Sequence, residues 1–414
     1  MTIVIRGGSV VSTSGATPAD VVVDGERIAA ILDPDSTMAE SVQTSADRVI
    51  DASGCYVLPG GVDAHVHLEL EMTPHATSAD TFATGTAAAA WGGTTTVIDF
   101  AGQTAGTNVR DAIESRHADA DGQCAIDYGF HLAMGDIHDA SLAEMEAVMQ
   151  EGITSFKYFM AYPGAWYSDD GKLLRAMQRA AELGSMVMMH AENGIAIDVL
   201  RDQAAAAGQT APIWHGRTRP SRLEGEAVHR AAALAEIAGA PLYIVHLSSS
   251  DALDQVRFAR DRGQNVFAET CPFCDNEKLL GADDFRATPN GLGSIEHRMD
   301  LLHTGVVEGE IGLARWVEVC STTPARLFGL YPRKGVIAPG SDPDIVVYDP
   351  AAQHTLGVAS HHMNVDNSVW EGVQVTGQVR TVLLRGSFVI DERTFTGRAG
   401  HGRFVERQVS DLFV

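Results

Sequence analysis

Two histidines one residue apart, His65 and His67, follow the run Gly60-Gly61-Val62-Asp63. Side chains two residues apart on an extended strand point to one face, so both imidazoles can reach one ion. His190 closes Val187-Met188-Met189-His190, and His246 closes Ile244-Val245-His246. Taken singly, either of these reads as a hydrogen-bonded core histidine rather than a ligand. With His65, His67 and a lysine at equivalent strand ends, they read as one set of metal ligands. The lysine is Lys157, inside Phe156-Lys157-Tyr158-Phe159-Met160. A bare ammonium in an apolar interior costs several kcal/mol or loses its proton. Two fates are open: the chain reaches solvent at a strand end, or the neutral amine captures CO2. The resulting carbamate has two anionic oxygens and suits the bridging of two divalent cations. His131 and the pair His361-His362 lack such placement and read as structural or surface residues.

These residues need elements to position them. Short apolar runs at 61–67, 94–100, 126–134, 155–161, 186–190, 242–247 and 265–270 alternate with stretches of helical period such as 173–183 and 223–237. Strand–helix alternation implies a parallel sheet, and the span 59–334 suits a TIM-like (β/α)8 barrel with its chemistry at the strand C-terminal ends. Only seven strand-like runs occur, however. The segments 295–303 and 314–330 read as helices, so the eighth strand is missing from the pattern. Strand-like runs return at both ends of the chain, with Asp24-Gly25 as a hairpin turn. They predict a small β-sandwich domain composed of 1–58 and 335–392, leaving 393–414 as a C-terminal tail.

Composition narrows the partners. With 54 acidic residues against 30 Lys+Arg, the formal charge is −24, which argues against nucleic acid and anionic membrane surfaces. No apolar run approaches the ~20 residues needed to span a bilayer. The opening residues lack the features of a secretory signal, so a cytoplasmic protein is expected. Five cysteines, an odd number, do not resemble a disulfide framework. Cys271-Pro-Phe-Cys274 is a lone CxxC, weak as a redox or metal motif.

The residues resemble the amidohydrolase superfamily, and within it the hydantoinase/dihydropyrimidinase family. The resemblance rests on Leu58-Pro-Gly-Gly-Val-Asp-Ala-His-Val-His67, Gly92-Gly-Thr-Thr-Thr-Val-Ile-Asp-Phe100 and Ser155-Phe-Lys-Tyr-Phe-Met-Ala-Tyr162. It continues through His190-Ala-Glu-Asn193, His246-Leu-Ser-Ser249, Glu269-Thr-Cys-Pro272, Pro289-Asn-Gly-Leu292 and Gly329-Leu-Tyr-Pro-Arg-Lys-Gly335. It implies two divalent metal ions, usually zinc. His65 and His67 would bind one and His190 and His246 the other, with Lys157 as N6-carboxylysine between them. It further implies Tyr162 as the catalytic and substrate-binding hydroxyl that steadies an oxyanion. Asn290 would be a substrate contact. The substrate is then a small cyclic amide or ureide, opened to an N-carbamoyl amino acid, and the protein a homo-oligomer, by resemblance a homotetramer. Read as residues alone, Tyr162 is equally a rim aromatic and Asn290 a turn residue before Gly291.

One departure stands out. The family carries a metal-binding aspartate at the end of the eighth strand, followed by a His-Cys-Pro-Phe run. Here Glu269-Thr-Cys-Pro272 runs straight into Phe273-Cys274, as though an internal segment after Pro272 were deleted. Asp275, Asp283 and Asp284 are the nearest acids, and none ends a strand. Impaired hydrolysis is therefore expected, with the edges of strands one and seven unpaired. Two other readings stay open. One is a non-catalytic scaffold or assembly protein on the same fold. The other is a related hydrolase acting on allantoin or dihydroorotate, the latter disfavoured because Leu68-Glu69-Leu70 lacks the arginine found there in dihydroorotase-like sequences.

Overall fold

In the computed structural model the described residues are 1–73, 76–270, 281–288, 291 and 293–413. Seven parallel strands form one sheet: β1 (Gly61–Asp63), β2 (Thr94–Gln103), β3 (Asp127–Met134), β4 (Ser155–Phe159), β5 (Met186–His190), β6 (Leu242–Ile244) and β7 (Val266–Ala268). They pair strictly in chain order. Parallel strands are covered on both faces, which is why β3, β4 and β5 are buried throughout. The connections are helical, and their starts follow from capping residues that satisfy otherwise orphaned amides. Asn108, Asp169 and Ser249 accept from Asp111 N, Lys172 N and Ala252 N respectively. Gly184 and Gly239 end two helices in the left-handed conformation that a Cβ disfavours.

Among the described residues no strand pairs with the outer edge of β1 or β7, so the sheet is an open arc, as the seven runs in the sequence imply. The β1 edge is not bare. Arg298 Nη1 donates to Val62 O at 3.0 Å and Nη2 to Thr94 Oγ1 at 3.1 Å. Ser321 Oγ donates to Pro59 O at 3.2 Å from the π-helical turn Glu318–Thr322. Inside the arc, Val62, Ile98, Phe100, Met188, Tyr243, Val245, Phe328 and Val405 form a buried apolar cluster. This plug fills the inside of the arc, and its Val62, Phe100, Tyr243 and Val245 also face an open cavity.

The chain ends build two further sheets. One orders Arg27–Leu32, Asp20–Asp24, Thr2–Arg6 and Arg48–Asp51; the other runs from Thr394–Phe395 through Ile345–Thr355 and Tyr56–Pro59 to Gly15–Pro18. Ile3, Val21, Val23 and Ile50 of the first meet Val57, Ile345, Val347 and Leu383 of the second in one buried cluster. This is the sandwich expected from the terminal strand runs. The segment expected as a tail is stitched to the barrel, with Val405 N donating to Tyr128 O at 2.7 Å and Arg407 N to Gly152 O at 3.0 Å. At the joint between sandwich and barrel, the buried Lys334 Nζ donates to Asp127 Oδ2 at 2.7 Å and Asp344 Oδ2 at 2.6 Å. Arg385 also pairs with Asp127 there.

Candidate metal centre

The His65-x-His67 pair lies just past β1, not inside it, because the ladder ends at Asp63. Three features hold this short extended segment. Gly60 packs so tightly on Thr95 that any Cβ would collide. His131, fully buried on β3, bonds through Nε2 to Ala64 O at 2.9 Å and through Nδ1 to Ser155 Oγ. Asp99 accepts from Leu68 N at 2.8 Å and is itself paired with buried Arg116. The outcome is convergence, with His65 Nε2 3.2 Å from His67 Nε2.

Lys157, on β4, is only 2% exposed, which removes the solvent-reaching alternative. Its Nζ sits 3.1 Å from His65 Nε2 and 4.1 Å from the centre of the Phe100 ring. His190 ends β5, and its ring lies 4.5 Å from that of His246. The His246 ring is in turn 5.7 Å from that of His65. His246 leaves the β6 ladder with φ 40°, a left-handed value that is strained for a residue with a Cβ. Tyr162 shares that strain at φ 64° and stands 4.9 Å from the His190 ring. All five expected ligands and Tyr162 line one cavity of about 2020 Å³.

Burial, then the neighbouring Lys157, holds the imidazoles of His65 and His67 well below their ordinary pKa. Burial, followed by His190 and Lys157, does the same for His246. Neutral imidazoles are the form that binds metal. Among the described residues no group of three or more His, Cys, Asp and Glu stands ready-made to hold an ion. The donors nevertheless fit divalent ions in kind: neutral imidazoles, a buried lysine amine, and His67 Nδ1, which is buried with no hydrogen-bond partner.

Sequence reasoning gave no role to two carboxylates here. Glu269, just past β7, contacts His65 Nδ1 through Oε1 and accepts from the Tyr243 hydroxyl at 2.9 Å. Burial pushes its pKa up to about 7. Glu192 meets His190 Nε2 at 2.7 Å, with Arg219 3.8 Å away. Its burial favours the neutral acid, but His190 and Arg219 outweigh it and hold the carboxyl below its usual range. The available signal was an acid one or two residues beyond a strand that ends in the cavity. Asn290, Cys271, Cys274 and Asp275 lie outside the described residues. Asp283 is exposed, and Asp284 is tied to Arg286 at 2.6 Å.

Residues 56–212 and 286–389 match the amidohydrolase family. The chain is 49% identical to the D-hydantoinase of Streptomyces coelicolor, covering 98% of this chain and 97% of that one. It is 40% identical to the D-hydantoinase of Geobacillus stearothermophilus over 98% and 97%. The crystal structure of dihydropyrimidinase from Brevibacillus agri superposes with a TM-score of 0.94 at 42% identity, covering 99% of each chain. The Streptomyces alignment runs over 458 positions against 414 residues here, so at least 44 positions have no counterpart in this chain. Both the fold and the full-length likeness thus agree with the resemblance carried by the motifs: the chain belongs to the amidohydrolase family, in its hydantoinase/dihydropyrimidinase branch.

Proposed function

We propose that this chain hydrolyses the cyclic amide C–N bond of hydantoins and dihydropyrimidines to N-carbamoyl amino acids. What supports the reading most is the approach of Lys157 Nζ and His67 Nε2 to His65 Nε2, at 3.1 and 3.2 Å, in a chain whose relatives are hydantoinases. In this reading His65 and His67 hold one divalent ion and His190 and His246 a second. Lys157, carboxylated on Nζ, holds both. Zinc suits this donor set. When bound, such a pair supplies Lewis acidity, acidifying water and polarising a carbonyl. The Tyr162 hydroxyl donates to the ring carbonyl oxygen as negative charge gathers there. Asn290 holds a ring amide. Water oxygen adds to the carbonyl carbon, the C–N bond breaks, and the ring nitrogen takes up a proton.

That last proton is the weak point. Among the described residues no aspartate ends an eighth strand, and general acid–base help is typically worth ~10²–10⁴ in rate. Zinc-loaded protein should therefore open hydantoin or dihydrouracil more slowly, by about that factor, than an intact relative assayed beside it. About two zinc ions per chain are expected by elemental analysis. Equal turnover would overturn the impairment; no zinc uptake and no ring opening would favour the scaffold reading. The same reading makes the protein a cytoplasmic homotetramer, which sedimentation velocity tests for subunit number. No described helix is long and apolar enough to cross a membrane.

A further inference from the structure

We propose that Glu269, anchored by Tyr243, is the positioning residue of His65: it fixes the ring with its proton on Nδ1 and turns the Nε2 lone pair toward Lys157 and His67. The inference rests on the proposed metal centre for its purpose, but the protonation pattern can be measured without any metal.

A neutral imidazole has one donor nitrogen and one acceptor nitrogen. His65 Nε2 lies 3.1 Å from Lys157 Nζ, an amine that donates through its hydrogens. His65 Nε2 is therefore the acceptor, and Nδ1 carries the hydrogen. The group facing Nδ1 is Glu269 Oε1, and a carboxylate only accepts. With Lys157 as donor and Glu269 ionised, the Nδ1–H tautomer satisfies both contacts, and the alternative breaks the one to Glu269. The other carboxylate oxygen, Oε2, accepts from the Tyr243 hydroxyl at 2.9 Å, so the carboxylate is held on both sides. Tyr243 in turn is wedged edge-on against Phe328 in the apolar plug, ring centres 5.2 Å apart. The rings flanking His65 are Phe100, His67 and His246, with centres 4.9, 5.1 and 5.7 Å away. An aromatic edge restrains the plane of an imidazole but cannot choose between its nitrogens. Glu269 does that.

The arrangement at the second pair of histidines differs. Glu192 meets His190 at Nε2, 2.7 Å away, leaving Nδ1 as the nitrogen that faces elsewhere. The two carboxylates thus select opposite ring nitrogens on two histidines of one cavity. Outer partners of this kind typically change metal affinity by about 10–100-fold when removed.

The test uses the full-length, metal-free protein with isotopically labelled histidine, observed by NMR at mildly alkaline pH, the His65 signals being assigned by their loss in His65→Gln. The Nδ1–H pattern is expected for the wild type and for Glu269→Gln, whose amide oxygen still accepts. Glu269→Leu should move the pattern toward Nε2–H. In a zinc titration against a competing chelator, Glu269→Leu should bind about 10–100-fold more weakly, while Glu269→Gln stays near wild type. An Nε2–H pattern in the wild type would overturn the proposal. So would an unchanged pattern in Glu269→Leu, or equal zinc losses in the Leu and Gln variants. Should Glu269→Leu fail to fold, Tyr243→Phe carries the comparison, with a partial shift expected and no shift counting against. If the hydrolase reading alone is wrong, ring opening is absent while the Nδ1–H pattern and its response to Glu269→Leu persist.

Discussion

Replacing Lys334 by methionine tests whether the joint between barrel and sandwich is held by charge. The side chain is 1% exposed, with Nζ 2.7 Å from Asp127, 2.6 Å from Asp344 and 3.4 Å from Asp342. At an effective dielectric near 20, unit charges about 4 Å apart attract by about 4 kcal/mol. Lys334 has three acids inside that distance, so its gross attraction is on the order of 10 kcal/mol, against a desolvation cost of several kcal/mol for each ion. The net worth of the cluster is small, but removing one member strands the others. Lys334→Met leaves three buried acids facing Arg385 and the edge-lying Arg27, and such losses run to ~3–5 kcal/mol. With a urea m-value of about 3 kcal/mol/M, the unfolding midpoint by tryptophan fluorescence should fall by ~1–1.7 M. Adding Asp344→Asn should recover part of that loss. The acid side supplies a sign. Burial opposes ionisation of Asp127, but Lys334 and Arg385 outweigh it and hold its pKa below the usual value. Its stabilisation is present above the unfolded-state value and lost as pH falls through the folded one. The gap between wild type and Lys334→Met should accordingly narrow below about pH 4. A midpoint shift under ~0.3 M at neutral pH, the size expected of an exposed pair, would refute the reasoning.

Two further outcomes follow from the site. Tyr162→Phe removes the proposed oxyanion donor, so kcat should fall by ~10²–10³ with KM nearly unchanged; steady-state ring opening reads both, and a change confined to KM would place the hydroxyl in binding alone. His131→Phe keeps a ring in the barrel but leaves Ala64 O without its donor, which should cost ~1–3 kcal/mol in urea unfolding and weaken zinc uptake through the displaced His65.

Much of this was legible because chemistry-bearing residues sit at the ends of apolar runs. The strand runs overshoot, however. The run expected over 242–247 ends its ladder at Ile244, because His246 turns to φ 40°. The run expected over 61–67 likewise ends at Asp63. The five ligand candidates were visible from residue type and spacing, whereas Glu269 was not. Its partner His65 lies 204 residues away, and no local periodicity encodes a contact between the first and last strands. The Lys334 cluster was hidden for the same reason, joining positions 127, 334, 344 and 385. The shortfall of one strand could be counted directly, since each barrel strand must supply its own apolar run.

The contact between His65 and Glu269 has a mechanical side. These residues follow β1 and β7, the two free ends of the arc. Where a closed ring is fastened by a ladder of peptide groups, the described residues that follow these two strands meet at the rim through an imidazole–carboxylate clasp. A fastening of two side chains opens far more cheaply than a ladder, so the curvature of the whole sheet is linked to whatever else competes for that imidazole. A solute that draws His65 away from Glu269 also loosens this link between the two ends of the arc, and one that leaves the clasp shut preserves it.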